Sequence, residues 1–115
     1  MRKVIVLFAF SLLGATGSLA DEPDPFLTLE QAKPYRERWQ NCTASVAKQN
    51  LSGPRSATAV ADLAFQRCKA QESALRNVLS RRLGAASADR IVADLRGFDR
   101  SLLIRIIDKL RSDQP

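Results

Sequence analysis

The sequence contains no histidine, only two cysteines, and a single methionine, tryptophan and tyrosine among its 115 residues. Without histidine, it lacks the side chain that most readily acts as an acid or base near neutral pH. It also has no glycine-rich phosphate loop and no serine in the context of a nucleophile elbow. We therefore predict a non-enzymatic protein with no catalytic residue and no cofactor.

The sequence is basic, with 18 lysines and arginines against 12 acidic residues and a formal net charge of +6. The two signs alternate along the chain, which is typical of a solvated, salt-bridged surface. A nucleic-acid partner is not expected, because the sequence has no concentrated basic patch and no interleaved aromatic residues.

The first twenty residues have the three-part layout of a secretory signal peptide. A short basic head at residues 2–3 precedes an apolar run at residues 4–13, and small residues follow up to Ala20. The apolar run is too short to span a membrane, which takes roughly 20 residues. We predict cleavage between Ala20 and Asp21, no transmembrane anchor in the mature protein, and a periplasmic or secreted location.

The rest of the chain shows apolar residues at helical spacing and no alternating strand pattern. An acidic, proline-containing and flexible lead-in is predicted at residues 21–33, and a single helical domain at residues 34–115. Its helices should cover about residues 34–50, 57–83 and 88–110. The predicted fold is all-α: a small antiparallel three-helix bundle, in which a disulfide-linked hairpin packs against a third helix.

Two positions leave the helix boundaries open. Thr28 offers an N-cap and Pro34 interrupts the helix that would follow, so either a new helix starts at Pro34 or one helix kinks there; we favour the start at Pro34. Gly97 either ends one helix, with Asp99 capping the next, or lies within a continuous helix. The apolar stripe keeps its phase across Gly97 and favours continuity. That stripe predicts one broad buried arc of Ile91, Val92, Leu95, Phe98, Leu102, Leu103, Ile106 and Ile107.

The two cysteines lie on the apolar faces of the first two predicted helices. Cys42 and Cys68 are 26 residues apart, which is wrong for a thioredoxin-like redox pair, and two ligands are too few for a structural zinc site. An exported protein meets an oxidising compartment, where disulfides persist. We therefore predict a Cys42–Cys68 disulfide across the hairpin, flanked by Trp39 and Phe65, and no metal site.

Two acidic residues fall on faces that should be apolar. Glu72 follows Cys68 by one turn and should lie level with Arg38, so an Arg38–Glu72 ion pair is predicted. Asp99 lies within the apolar arc of the third helix and needs a partner or a capping role. One interpretation is a structural ion pair and a cap, and the other is a small polar pocket built from Arg38, Glu72 and Asp99 with Tyr35.

The sequence suggests three functions of different classes. The first is a binding module of the cell envelope that recognises another envelope protein through Ile104, which the pattern places on the polar face of the third helix among Arg100 and Arg111. The second is binding to anionic lipid or polysaccharide through basic helices. The third, a small hydrolase that uses carboxylates, has the least support, because a chain this short has little material for a cleft.

Overall fold

The computed structural model describes the backbone of residues 25–114 and the side chains of residues 29–114. This part of the chain is all-helical, with α1 at Pro25–Gln49, α2 at Ala57–Arg67, α3 at Lys69–Leu83 and α4 at Ala85–Ser112. The predicted signal peptide, its cleavage site between Ala20 and Asp21, and residues 21–24 of the predicted lead-in lie outside the described residues.

The first helix begins at Pro25, not at Pro34 as predicted, and it includes Thr28, which therefore is not its N-cap. Proline suits the first position of a helix, because the amide hydrogen that it lacks would have no partner there. Pro34 lies inside the helix and removes one backbone hydrogen bond. Ala32 and Trp39 on either side of Pro34 are both buried in the core, so tertiary packing holds α1 together across this position.

The predicted second helix, residues 57–83, is divided into α2 and α3 at Cys68, whose backbone angles are φ −103° and ψ 26°. The hydrogen-bond ladder nevertheless continues through this residue. The amide of Cys68 donates to the carbonyl of Ala64 at 3.1 Å, and the amide of Glu72 donates to the carbonyl of Cys68 at 3.2 Å. The two helices therefore follow each other with one irregular residue between them.

Gly84 separates α3 from α4 and has a φ of 88°, a conformation that only glycine adopts readily. The prediction that the second helical segment ends just before Gly84 is confirmed. The last helix then begins at Ala85, three residues before its predicted start.

The last helix runs without interruption through Gly97, as the favoured alternative predicted. Asp99 is therefore an interior residue of α4 and not a helix cap. Gly97 is exposed, and a Cβ atom added there would meet nothing within 4 Å.

We expect Gly97→Ala to raise the free energy of unfolding by roughly 0.5–1 kcal/mol, because glycine costs about that much relative to alanine in a helix interior. Urea unfolding at 25 °C measures the difference. Gly84→Ala is the matched control, and it should lower stability because its φ is positive. A Gly97→Ala variant that is less stable than the wild-type protein would contradict the prediction.

The helices pack around α2 and α3, which lie in the centre of the fold. Both α1 and α4 contact α2 and α3, whereas α1 and α4 approach each other at few positions. The amide of Gln40 on α1 lies 3.5 Å from Asp99 on α4, and Arg111 at the end of α4 donates to the carbonyl of Leu51 just after α1. Thus α1 and α4 run in the same direction, and their side chains meet beside the central helices.

The predicted disulfide is present and joins α1 to the junction of α2 and α3. Cys42 and Cys68 are bonded with their Cα atoms 6.0 Å apart. Trp39 and Phe65, each three residues before a cysteine, pack edge to face with ring centroids 5.7 Å apart. Other side chains that are almost completely buried fill the core above and below: Val60, Leu75, Leu79, Val92 and Ile107.

Candidate functional site

The polar pocket predicted from Arg38, Glu72, Asp99 and Tyr35 does not form. Arg38 is exposed and its guanidinium lies 5.1 Å from the centroid of the Tyr35 ring. The predicted Arg38–Glu72 pair is wrong, because arginines of α3 and α4 bind Glu72 instead. The face of α3 that carries Glu72 packs against α4, so its partners come from that side.

Glu72 is a buried carboxylate that two arginines hold. Arg96 of α4 donates to both carboxylate oxygens, through Nε at 2.9 Å to Oε1 and through Nη2 to Oε2. Arg76, one turn further along α3, donates to Oε2 at 2.9 Å and also bonds Asp89 at 3.1 Å. Burial alone would raise the pKa of Glu72, but the hydrogen bonds from Arg96 and Arg76 outweigh it, and the pKa lies below its ordinary value. The network links α3 to α4.

Asp99 is also buried, but its partners are different and more distant. Arg36 and Gln40 of α1 each approach its carboxylate oxygens at 3.5 Å, the outer limit of a hydrogen bond. The two buried acids therefore belong to separate contacts, one between α3 and α4 and one between α1 and α4. They do not form a shared pair of carboxylates.

The predicted interaction face on α4 takes part in contacts within the protein. Arg100 donates to Asp62 of α2 at 2.7 Å, and this hydrogen bond lowers the pKa of Asp62. Arg111 donates to the backbone carbonyls of Leu51 and Arg55 in the loop after α1. Ile104 does not project into solvent, since it is half-buried and packs against the core.

A different face of α4 is exposed and apolar. Phe98, Leu102, Ile106 and Leu110 are exposed to 61, 37, 44 and 46%. They are spaced four residues apart, and so they form one continuous line on the helix surface, which we name the α4 ridge. The prediction that Phe98, Leu102 and Ile106 are buried is wrong.

The reason lies in the arrangement of the helices. An apolar arc that spans half of a helix's circumference is buried only when two other helices pack against it side by side. The two helices that α4 packs against most extensively, α2 and α3, follow each other end to end, and α1 meets α4 at few positions, so only one strip of the arc is covered. The sequence does carry a signal for this surface. The apolar arc is wide, and a chain this short forms few helices to cover it.

Next to the ridge, α1 and α4 enclose a shallow cavity of about 170 Å³ that opens to solvent, which we name the α1–α4 groove. Its walls are Gln40, Thr43 and Ala44 of α1 and Asp99, Leu102 and Ile106 of α4. Pockets for drug-sized ligands typically measure about 300–1,000 Å³. This groove is smaller, and its size suits a single inserted side chain.

No protein-family model matches the chain, and neither a curated protein nor a solved structure matches it at a significant level. Among the described residues, no helix is both long enough and apolar enough to cross a membrane. Within the same residues, histidine, cysteine and acidic side chains form no cluster of three that could hold a metal ion. The fold and the surface define a small, disulfide-linked helical protein with an exposed apolar ridge beside a groove.

Proposed function

We propose that the protein is a non-enzymatic binding module that acts by protein–protein association through the α4 ridge and the α1–α4 groove. The observation that carries this proposal is the exposure of four large apolar side chains in one line. From Phe98 to Leu110 the ridge is about 18 Å long at 1.5 Å per residue. Contiguous exposed apolar surface of this kind marks interaction sites in soluble proteins.

The alternative of binding anionic lipid or polysaccharide has weaker support, because several arginines of α3 and α4 are engaged within the protein. Arg76 and Arg96 bind Glu72, Arg100 binds Asp62, and Arg111 binds backbone carbonyls. Hydrolysis by carboxylates has weaker support still. Glu72 is held ionised by its arginines, and Asp99 has partners of its own.

We further propose that α2 and α3 act as one central helix of an antiparallel three-helix bundle, and that the protein acts in the periplasm or outside the cell. The continuous hydrogen-bond ladder at Cys68 supports the first point. The disulfide supports the second, because such bonds persist in oxidising compartments. An intact mass that begins at Met1 in the protein recovered from the envelope would contradict export by cleavage after Ala20.

A photo-crosslinking residue at position 102 tests the binding function in the native envelope. We expect illumination to give a covalent adduct with a protein, identified by mass spectrometry. The control is the same residue at Asn77, an exposed polar position on α3, which should give no such adduct. Equal adduct yields from the two positions, or none from position 102, would contradict protein binding through the ridge.

A further inference from the structure

We infer that the α4 ridge binds a second copy of this chain, with the two α4 helices antiparallel about a two-fold axis. The inference rests on the proposed function, which makes the ridge a protein-binding surface. It adds the identity of the partner and the geometry of the contact.

The ridge is complementary to itself in the antiparallel orientation. When Leu102 lies opposite the second copy's Ile106, Phe98 lies opposite the second copy's Leu110, so every ridge residue meets another ridge residue. A two-fold contact needs this property, because the same patch serves on both subunits. Ridges of residues four apart interdigitate in the commonest class of helix packing.

The groove offers the depth that such a contact requires. It lies beside Leu102 and Ile106, the two middle residues of the ridge, and has a volume of about 170 Å³. An apolar cavity of roughly 150 Å³ holds a benzene ring, so the groove is large enough for one apolar side chain of the second copy. Two such insertions, related by the axis, would surround each α4 ridge with apolar contacts.

The charges along the rim are divided between its two ends. Exposed acids, Glu37 of α1 and Asp94 of α4, adjoin the end that carries Phe98. Exposed bases, Lys48 of α1 with Arg105 and Lys109 of α4, lie toward the end that carries Leu110, where they outnumber the exposed acids Asp108 and Asp113. An antiparallel pair brings the acidic end of each copy to the basic end of the other, whereas a parallel pair would place like charges together. Lys33 lies one turn before Glu37 and beyond the end of the ridge.

Sedimentation equilibrium of the purified protein tests the inference. We expect the wild-type protein to have twice the monomer mass, and Leu102→Glu to weaken self-association by about 100-fold or more, since each dimer carries the charge twice in its apolar centre. Asn77→Glu introduces the same side chain on the exposed surface of α3 and should leave the dimer unchanged. Far-UV circular dichroism checks that both variants remain helical.

A charge exchange tests the orientation. We expect Lys48→Glu and Glu37→Lys each to weaken the dimer by about 5- to 10-fold, and the double variant to recover most of the loss. Within one chain the two residues are separated by roughly 16 Å along α1. Recovery would therefore report a contact between copies.

The other outcomes overturn the inference in distinct ways. A monomer at every concentration whose position-102 crosslinker captures a different protein would overturn self-association and leave the proposed function standing. A monomer that gives no protein adduct would overturn both, and vesicle binding lost in Leu102→Glu would then assign the ridge to lipid. A dimer that Leu102→Glu does not weaken would overturn the assignment to the ridge.

Discussion

Replacing both cysteines with alanine is expected to lower the free energy of unfolding by about 3.5 kcal/mol. The disulfide closes a loop with a sequence separation of 26, and the chain-entropy treatment gives this value for a loop of that length. Domains of this size have total stabilities of roughly 5–15 kcal/mol, so the bond supplies a large share. At about 4–8 °C per kcal/mol, the melting temperature should fall by roughly 14–28 °C.

Denaturant unfolding of the double variant, followed by circular dichroism, measures the loss. Alanine is the appropriate replacement, because Cys68 is completely buried and the hydroxyl of a serine would be placed in the core. The wild-type protein in reductant is the control, and it should lose a similar amount. Two free thiols in the unreduced wild-type protein, or a double variant of unchanged stability, would contradict the prediction.

Glu72→Gln is expected to lower the free energy of unfolding by about 1–3 kcal/mol near neutral pH. The carboxylate accepts charge-assisted hydrogen bonds from Arg96 and Arg76, and a neutral amide accepts them less strongly and adds a donor that faces the two guanidinium groups. The same network joins α3 to α4, so the substitution should weaken the contact between these two helices.

The contribution of Glu72 also depends on pH. Its pKa in the folded protein is lower than its ordinary value of 4.5, so folding favours the ionised form. The resulting stability is fully present above pH 4.5 and is lost as the pH falls through the folded pKa. The difference between the wild-type protein and Glu72→Gln should therefore shrink below pH 4.5.

Unfolding free energies measured from pH 7 down to pH 3 test both the loss of stability near neutral pH and its dependence on pH. Glu30→Gln makes the same chemical change at an exposed position of α1 and should alter stability by less than about 0.5 kcal/mol. If Glu72→Gln lowered the free energy of unfolding by the same amount at pH 3 as at pH 7, ionisation of Glu72 would not be the source of its effect.

Several features of the fold could be predicted from residue spacing alone, because they depend on local chemistry. The helical periodicity indicated an all-α protein and a helix that ends at residue 83, just before Gly84. The position of Cys42 and Cys68 on the apolar faces of neighbouring helices, together with the expected export, predicted their disulfide. The phase of the apolar stripe across Gly97 likewise predicted a continuous α4.

The start of α1 could not be predicted from local helix preferences alone. Pro34 favours a helix start, yet the buried residues on both sides of it keep one helix intact from Pro25. The partner of Glu72 could not be predicted either. Its spacing from Cys68 shows which face of the helix it occupies, but not whether α1 or α4 covers that face.

By itself, the sequence determined the all-helical class, which faces are apolar and which cysteines pair. Only the tertiary structure decided which apolar face stays uncovered. Residue spacing reports where side chains lie around one helix, whereas coverage depends on where the other helices pack. Because α1 and α4 approach each other at few positions, the line from Phe98 to Leu110 remains exposed.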